Sequence, residues 1–282
     1  MTRVLLLIAV VIWGSTFVAS KICLGVMSPI QLVAGRFLIA APALFLVARL
    51  RGASFRLGEH KKVLLVAMAI FSFHYLLQTW ALQFTTATNS GWLVAVSPLA
   101  IALLAALFLR EPTPPAAGIL LASLGIVLLV SKGDLRSLGE LSSIGDVMVL
   151  VSTFTWAVFT IITRNPSRSL DPVVVTFAMT VPLAASALAL PFVVDRWTAW
   201  TELGLETSLA LVFLGLAGVA LAQWFWQTGV AKLGAAQAGV FLYLEPLATT
   251  ALAVPLLGEP LGPWTVAGGI LVVLGVYLAR RS

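Results

Sequence analysis

Apolar residues in this chain come in long unbroken runs, with polar residues confined to short gaps between them. Ten runs fall at about 4–21, 30–49, 62–83, 88–109, 115–131, 143–163, 172–194, 208–231, 235–257 and 263–280. A helix needs about 20 apolar residues, within a range of roughly 17–25, to cross the hydrocarbon core. The runs do not alternate with period two, which excludes the strands of a membrane barrel. The pattern therefore predicts an all-α integral membrane protein with ten transmembrane helices. Proline marks several gaps: Ser28-Pro29, Arg110-Glu111-Pro112, Asp171-Pro172 and Glu259-Pro260. The longest gap runs from about 50 to 61 and is basic.

The pattern also repeats. Pro98-Leu99-Ala100, eight residues, then Leu109-Arg110-Glu111-Pro112 is matched by Pro246-Leu247-Ala248, eight residues, then Leu257-Gly258-Glu259-Pro260, at an offset of 148. Gly91 matches Gly239 at the same offset, and Trp13 and Pro29 match Trp156 and Pro172 at 143. The chain reads as a duplication with halves 1–137 and 138–282. Each half holds five spans. An odd number forces the second half to enter the membrane from the opposite side, so the halves are expected to be inverted repeats.

Composition narrows the class. The chain is 60% hydrophobic and 10% charged, against about 25% charged in soluble domains. Its net charge of +6 does not point to nucleic acid, because the basic residues lie mostly in the gaps and act as topology signals. Placing the N-terminus in the cytoplasm puts twelve Lys and Arg inside against four outside, Lys21, Lys132, Arg136 and Arg196. Both termini are expected to be cytoplasmic, in the cytoplasmic (inner) membrane. The first run could mimic a signal peptide, but Trp13 has a counterpart in Trp156, so it is read as retained. Cys23 is the only cysteine, which rules out an intrachain disulfide or a CxxC metal site.

Polar side chains within spans are costly and usually face a cavity or another helix. His74 and Gln78 share a face of the third helix, and Gln223 and Gln227 share a face of the eighth, its repeat equivalent. These four are expected to line facing walls of one cavity, although interhelical hydrogen bonding would also suit them. His74 could also carry a proton, since an unperturbed imidazole titrates near about 6.5. Arg36, seven residues after Pro29, is roughly 10 Å deep. It reads either as snorkelling outward along its stem or as an outer gate contacting a carboxylate. Trp13 and Trp156 lie near mid-helix and could form aromatic walls for apolar or cationic parts of a solute. Trp92 and Tyr243 complete the candidate set.

Glu245 is the main charged candidate. It stands where the repeat has Ser97, just before the repeated proline, so the duplication breaks in charge there. Ten residues from Ala235, it is roughly 15 Å deep, at the midplane. Pro246 cannot donate a hydrogen bond and loosens the preceding turn. A carboxylate beside such a break can hold an ammonium or take up a proton. Glu111 and Glu259 precede the fifth and tenth helices, where each carboxylate is expected to meet the positive end of that helix dipole. Gly118, Ala122 and Gly125, and likewise Gly268, Gly269 and Gly275, give those helices small faces for close packing within the chain or in a homodimer. No metal-ligand spacing, phosphate loop or nucleophile motif is present, so no catalytic residue, metal or cofactor is expected.

Ten helices in two five-helix halves, Trp13-Gly14 in the first, and the doubled Pro-Leu-Ala…Glu-Pro pattern resemble the drug/metabolite transporter superfamily, and more narrowly its EamA group. The aromatic-rich profile is similar to the YddG-type amino-acid exporters. The resemblance covers the whole chain. It implies export of amino acids, aromatic or neutral, or of related small metabolites by alternating access. It also implies a central cavity lined by helices 1, 3, 4, 6, 8 and 9, with helices 5 and 10 peripheral. The alternatives are a passive channel, a sugar-phosphate carrier of the same superfamily, and a membrane-embedded lipid transferase. The expected partners are a small solute and the lipid bilayer.

Overall fold

The computed structural model describes residues 1–109, 116–131, 133–134, 141–189 and 198–279. The first Glu-Pro turn at Arg110 to Pro112, the boundary between the halves at 137 and 138, and Lys132, Arg136, Arg196, Arg280 and Arg281 lie outside the described residues. The described residues are helical, with no strand among them. In order the helices are α1 (Thr2–Leu24), α2 (Pro29–Leu50), α3 (Lys61–Ala81), α4 (Ala87–Val94), α5 (Ser97–Leu109), α6 (Ala116–Ser131), α7 (Leu141–Ser169), α8 (Pro172–Ala189), α9 (Leu205–Phe213), α10 (Ala222–Leu233), α11 (Ala235–Gly239), α12 (Glu245–Leu257) and α13 (Pro263–Ala279). Among the described residues, seven helical stretches are long and apolar enough to cross a membrane, and two shorter apolar helices accompany them. The protein is a multi-pass helical membrane protein. Leu107, Phe108, Leu209 and Leu256 are among many large apolar side chains on its outer surface, where hydrocarbon rather than water is the natural neighbour.

Local chemistry sets the helix starts. Ser28 caps α2, its hydroxyl accepting from Gln31 N at 3.3 Å, with Pro29 in the first turn. Asp171 does the same at the matched start of α8, accepting from Val173 N at 3.0 Å. A side-chain oxygen there satisfies an otherwise orphan amide, and proline removes another. Asp171 also pairs with Arg51 at 3.1 Å, joining the end of α2 to the start of α8.

Three long helices are interrupted. α4 and α5 are separated by a turn at Ala95 and Val96, just before Ser97-Pro98. α11 and α12 are separated by a 3-10 segment, Val240–Leu244, just before Glu245-Pro246. The repeated proline thus stands at a break in both halves, where its missing N–H removes a helical bond. The third interruption is a π-helical segment, Leu214–Leu221, between α9 and α10.

The helix contacts come in matched sets. α1 packs on α10 and α12, while α7, its counterpart in the repeat, packs on α3 and α5. α2 packs on α8, and α6 on α13. The small faces of α6 and α13 meet each other. A Cβ built on Gly125 would lie 2.7 Å from the Gly268 carbonyl oxygen.

Candidate functional site

A cavity of about 550 Å3, counting its open mouth, lies among these helices. α1 lines it with Trp13, Thr16, Phe17 and Ser20, α2 with Arg36, and α3 with His74, Tyr75, Gln78, Thr79 and Leu82. Val94, Ser97, Thr153, Trp156, Leu242 and Glu245 close it. On α1 the lining residues run from mid-helix toward its C-terminal end, so the cavity extends from the level of Trp13 toward the end where α1 finishes. The second helix lines the cavity, which the resemblance did not imply. The eighth, α9 to α10, contributes no lining residue.

Arg36 turns inward. Its side chain is buried, Nη2 donates to Thr79 Oγ1 at 3.2 Å, and the guanidinium lies 4.5 Å from the centre of the Tyr75 ring. The snorkelling expectation therefore fails. A guanidinium stacked on an aromatic face and bonded to a hydroxyl is held inside better than its stem could hold it outside. Arg36 Nε has no hydrogen-bond partner among the described residues.

Glu245 is the first residue of α12, buried, and its Oε2 has no partner among the described residues. The 3-10 turn before it directs a mid-helix carboxylate into the cavity beside Ser97, its counterpart in the repeat. Trp13 and Trp156 meet edge to face at 5.1 Å, and Trp226 backs both, at 5.4 Å and 5.7 Å. Trp13 Nε1 donates to the Gly218 carbonyl in the π segment at 3.0 Å. His74 Nδ1 is 2.9 Å from the Ser152 carbonyl. A carbonyl only accepts, so Nδ1 carries a proton.

Of the residues expected from sequence, Trp13, Arg36, His74, Gln78, Trp156 and Glu245 meet in this cavity. Trp92, Gln223, Gln227 and Tyr243 do not line it. Trp92 packs α4 against Gly269 of α13. Tyr243 packs in a second apolar cluster with residues such as Leu99 and Ala253. Gln227 accepts from Ser167 Oγ at 2.8 Å and donates to Thr163 Oγ1 at 3.4 Å. Gln223 is fully buried.

Glu259 departs from expectation as well. Its carboxylate accepts from Ala87 N and Thr88 N, both at 2.8 Å, so it caps α4 rather than α13. Two free amides at the start of α4 lie within its reach, whereas α13 begins four residues later at Pro263.

Sequence reasoning missed the small hydroxyls, Thr16, Ser20, Thr79, Ser97 and Thr153, because in a span they usually bond their own backbone. It also missed Tyr75, although it adjoins His74. Asp146 was missed too, buried near the start of α7, where Thr85 Oγ1 donates to it and Asn89 Nδ2 does so at 2.6 Å. An acid inside a predicted span was the available signal.

A family model described as the EamA-like transporter family matches the chain twice, over residues 2–131 and 143–281. An uncharacterized transporter of Archaeoglobus fulgidus is 31% identical over 288 residues, covering 100% of this chain and 98% of that protein. A probable amino-acid metabolite efflux pump of Salmonella typhimurium is 28% identical, covering 97% of this chain and 93% of its own. A protein solved by crystallography shares the fold with a TM-score of 0.74, at 24% identity, over 99% of this chain and 96% of that one.

Proposed function

The chain belongs to the EamA-like transporter family, and on that footing we propose that it exports amino acids, aromatic or neutral, or closely related metabolites. It is a membrane transporter; the solute and the mechanism are the proposal. One observation carries the reading: a buried arginine and a buried glutamate line the same cavity with a tryptophan pair. A zwitterion has one group for each. Its carboxylate suits the Arg36 guanidinium, its ammonium suits Glu245, and an apolar or aromatic side chain suits Trp13 and Trp156. His74, Gln78 and the cavity hydroxyls supply neutral hydrogen bonds. The name of the Salmonella relative, a probable amino-acid metabolite efflux pump, agrees with this solute class. Among the described lining residues Arg36 is the only Lys or Arg, which disfavours a sugar-phosphate carrier.

In this reading the chain has ten spans in two inverted halves, 1–137 and 138–282, with both termini cytoplasmic in the inner membrane. The halves rock about the midplane and open the site to each side in turn. The double family match, the matched helix contacts and the basic asymmetry of the gaps support it. The test is uptake of a panel of labelled amino acids into proteoliposomes, with and without a pH gradient. Saturable uptake with competition among aromatic and neutral amino acids is expected. Flux that rises without saturation would instead identify a passive channel.

A further inference from the structure

Several residues lining the cavity have counterparts in the repeat that lie away from it. The offset of 143 that relates Trp13 to Trp156 carries Phe17 to Thr160 and Ser20 to Thr163. An offset of 149 carries His74 to Gln223 and Gln78 to Gln227. Four positions that line the cavity thus map onto four polar residues of α7 and α10. All four are fully buried and none lines the cavity.

Their level follows from the helix contacts. A Cβ on Gly218 would meet Thr16 at 2.8 Å, while Gly229 lies against Leu6. Between these two glycines α10 runs from the level of the cavity toward the start of α1, and it carries Gln223 and Gln227 along that stretch. They flank Trp226, which backs the Trp13–Trp156 pair.

Their hydrogen bonding is incomplete. Gln227 reaches Ser167 and Thr163. Neither amide atom of Gln223 has a partner among the described residues, and neither does the Thr160 hydroxyl or the Trp226 indole N–H. Burying an amide with nothing to bond is costly, and membrane helices usually avoid it. A carboxamide held this way is better suited to a state in which it meets a solute.

We propose that Thr160, Thr163, Gln223 and Gln227 form a second half-site on the transport path, closed in this structure and opened toward the start of α1 when the first cavity closes. It takes the polar groups of the same amino-acid-like solute through neutral hydrogen bonds. Its charge differs from the first. Met179 stands where the offset of 143 places the counterpart of Arg36, and it is buried. The four residues of the second half-site are thus themselves uncharged, and the counterpart of Arg36 is apolar. This inference rests on the alternating-access reading above.

Two measurements test it. In a Cys23→Ser background, Thr160→Cys and Thr163→Cys are probed with a membrane-impermeant thiol reagent applied at the face where α1 begins, and Gln78→Cys with the same reagent at the opposite face. Labelling of Thr160→Cys or Thr163→Cys from the α1-start face in transporting vesicles is the expected result. If both stay inert while Gln78→Cys reacts and labelled amino acid still accumulates in the Cys23→Ser parent, the half-site is wrong and the transport reading stands. If Gln78→Cys is inert as well and nothing accumulates, the transport reading fails and takes the half-site with it. The second variant is Gln223→Leu. A packing residue with an unmet amide should tolerate leucine, keeping both thermal stability and transport. A half-site residue should keep the stability but lose transport by about tenfold, the worth of a hydrogen bond to the solute. Unchanged transport in Gln223→Leu would overturn its assignment.

Discussion

The two broken helices, α4–α5 and α11–α12, carry the same proline and lie in different surroundings. Every residue from Ala87 to Ile101 is buried around the first break. Around the second, Leu244 and Leu247 are exposed, the latter at 56%. The first break is a two-residue turn and the second a five-residue 3-10 segment. The first presents a serine to the cavity, the second a glutamate. The comparison separates two roles that the repeat had fused. Proline makes the break in both halves, because the ladder cannot continue through it. Only one of them carries a charge, the break whose flanking leucines are exposed.

The largest expected effect is at the charged break. Glu245→Gln keeps shape and hydrogen bonding but loses the charge. Initial rates of amino-acid uptake into proteoliposomes should fall by about 10- to 150-fold, equivalent to the roughly 1.5–3 kcal/mol of hydrogen bonds to a charged group. The folded yield should stay near that of the parent. Unchanged rates across solutes and pH would make the glutamate structural and erase the distinction between the breaks.

Packing gives the next contrast. A Cβ on Gly91, ahead of the first break, would lie 2.7 Å from Thr249 Oγ1 and 2.8 Å from its Cβ. On Gly239, its repeat counterpart, the nearest atom is 3.4 Å away. Gly91→Ala should destabilise the protein by about 1–3 kcal/mol through overpacking. Gly239→Ala should shift it by no more than about 0.5 kcal/mol, aided by the helix preference of alanine. Thermal unfolding in detergent compares them, and equal losses would mean that the two breaks are packed alike.

The smallest effect belongs to the neutral break. Ser97 Oγ has no partner among the described residues. Ser97→Ala should therefore alter stability by at most about 0.5 kcal/mol and uptake by about twofold. A loss comparable with that of Glu245→Gln would show that both breaks bind the solute.

Much of this was legible in the sequence for a physical reason. Hydrocarbon admits few polar residues, so an acid such as Glu245 announces itself, and a proline such as Pro246 marks where the backbone is free to bend. The helix starts at Pro29 and Pro172 were visible through the prolines that mark the gaps before them. Other features depend on which way a side chain turns. Arg36 could reach outward or inward with the same sequence, and Tyr75 with Thr79 decides it. Gln78 and Gln227 occupy matched positions, yet one lines the cavity and the other is engaged by Ser167 and Thr163. Glu259 could cap either of two helices, and only the packing of α4 near the start of α13 selects one. The segment Leu214–Leu221 is made of leucine, glycine, alanine and valine, with nothing to distinguish it from an ordinary helix.

That segment sets the angular phase of everything after it. A π turn holds one residue more than its α equivalent, with bonds such as Ala222 N to the Ala217 carbonyl. Each residue of an α-helix advances about 100° around the axis, at 3.6 residues per turn. Were the same 8 residues fully α-helical, α10 would be rotated by about that angle relative to α9. Trp226 would swing away from Trp13 and Trp156, and Gln223 and Gln227 would point to another sector of the bundle. The wide turn thus works as an indexing step, matching the azimuth of α10 to a neighbour whose own indole, on Trp13, is bonded to the Gly218 carbonyl within that step.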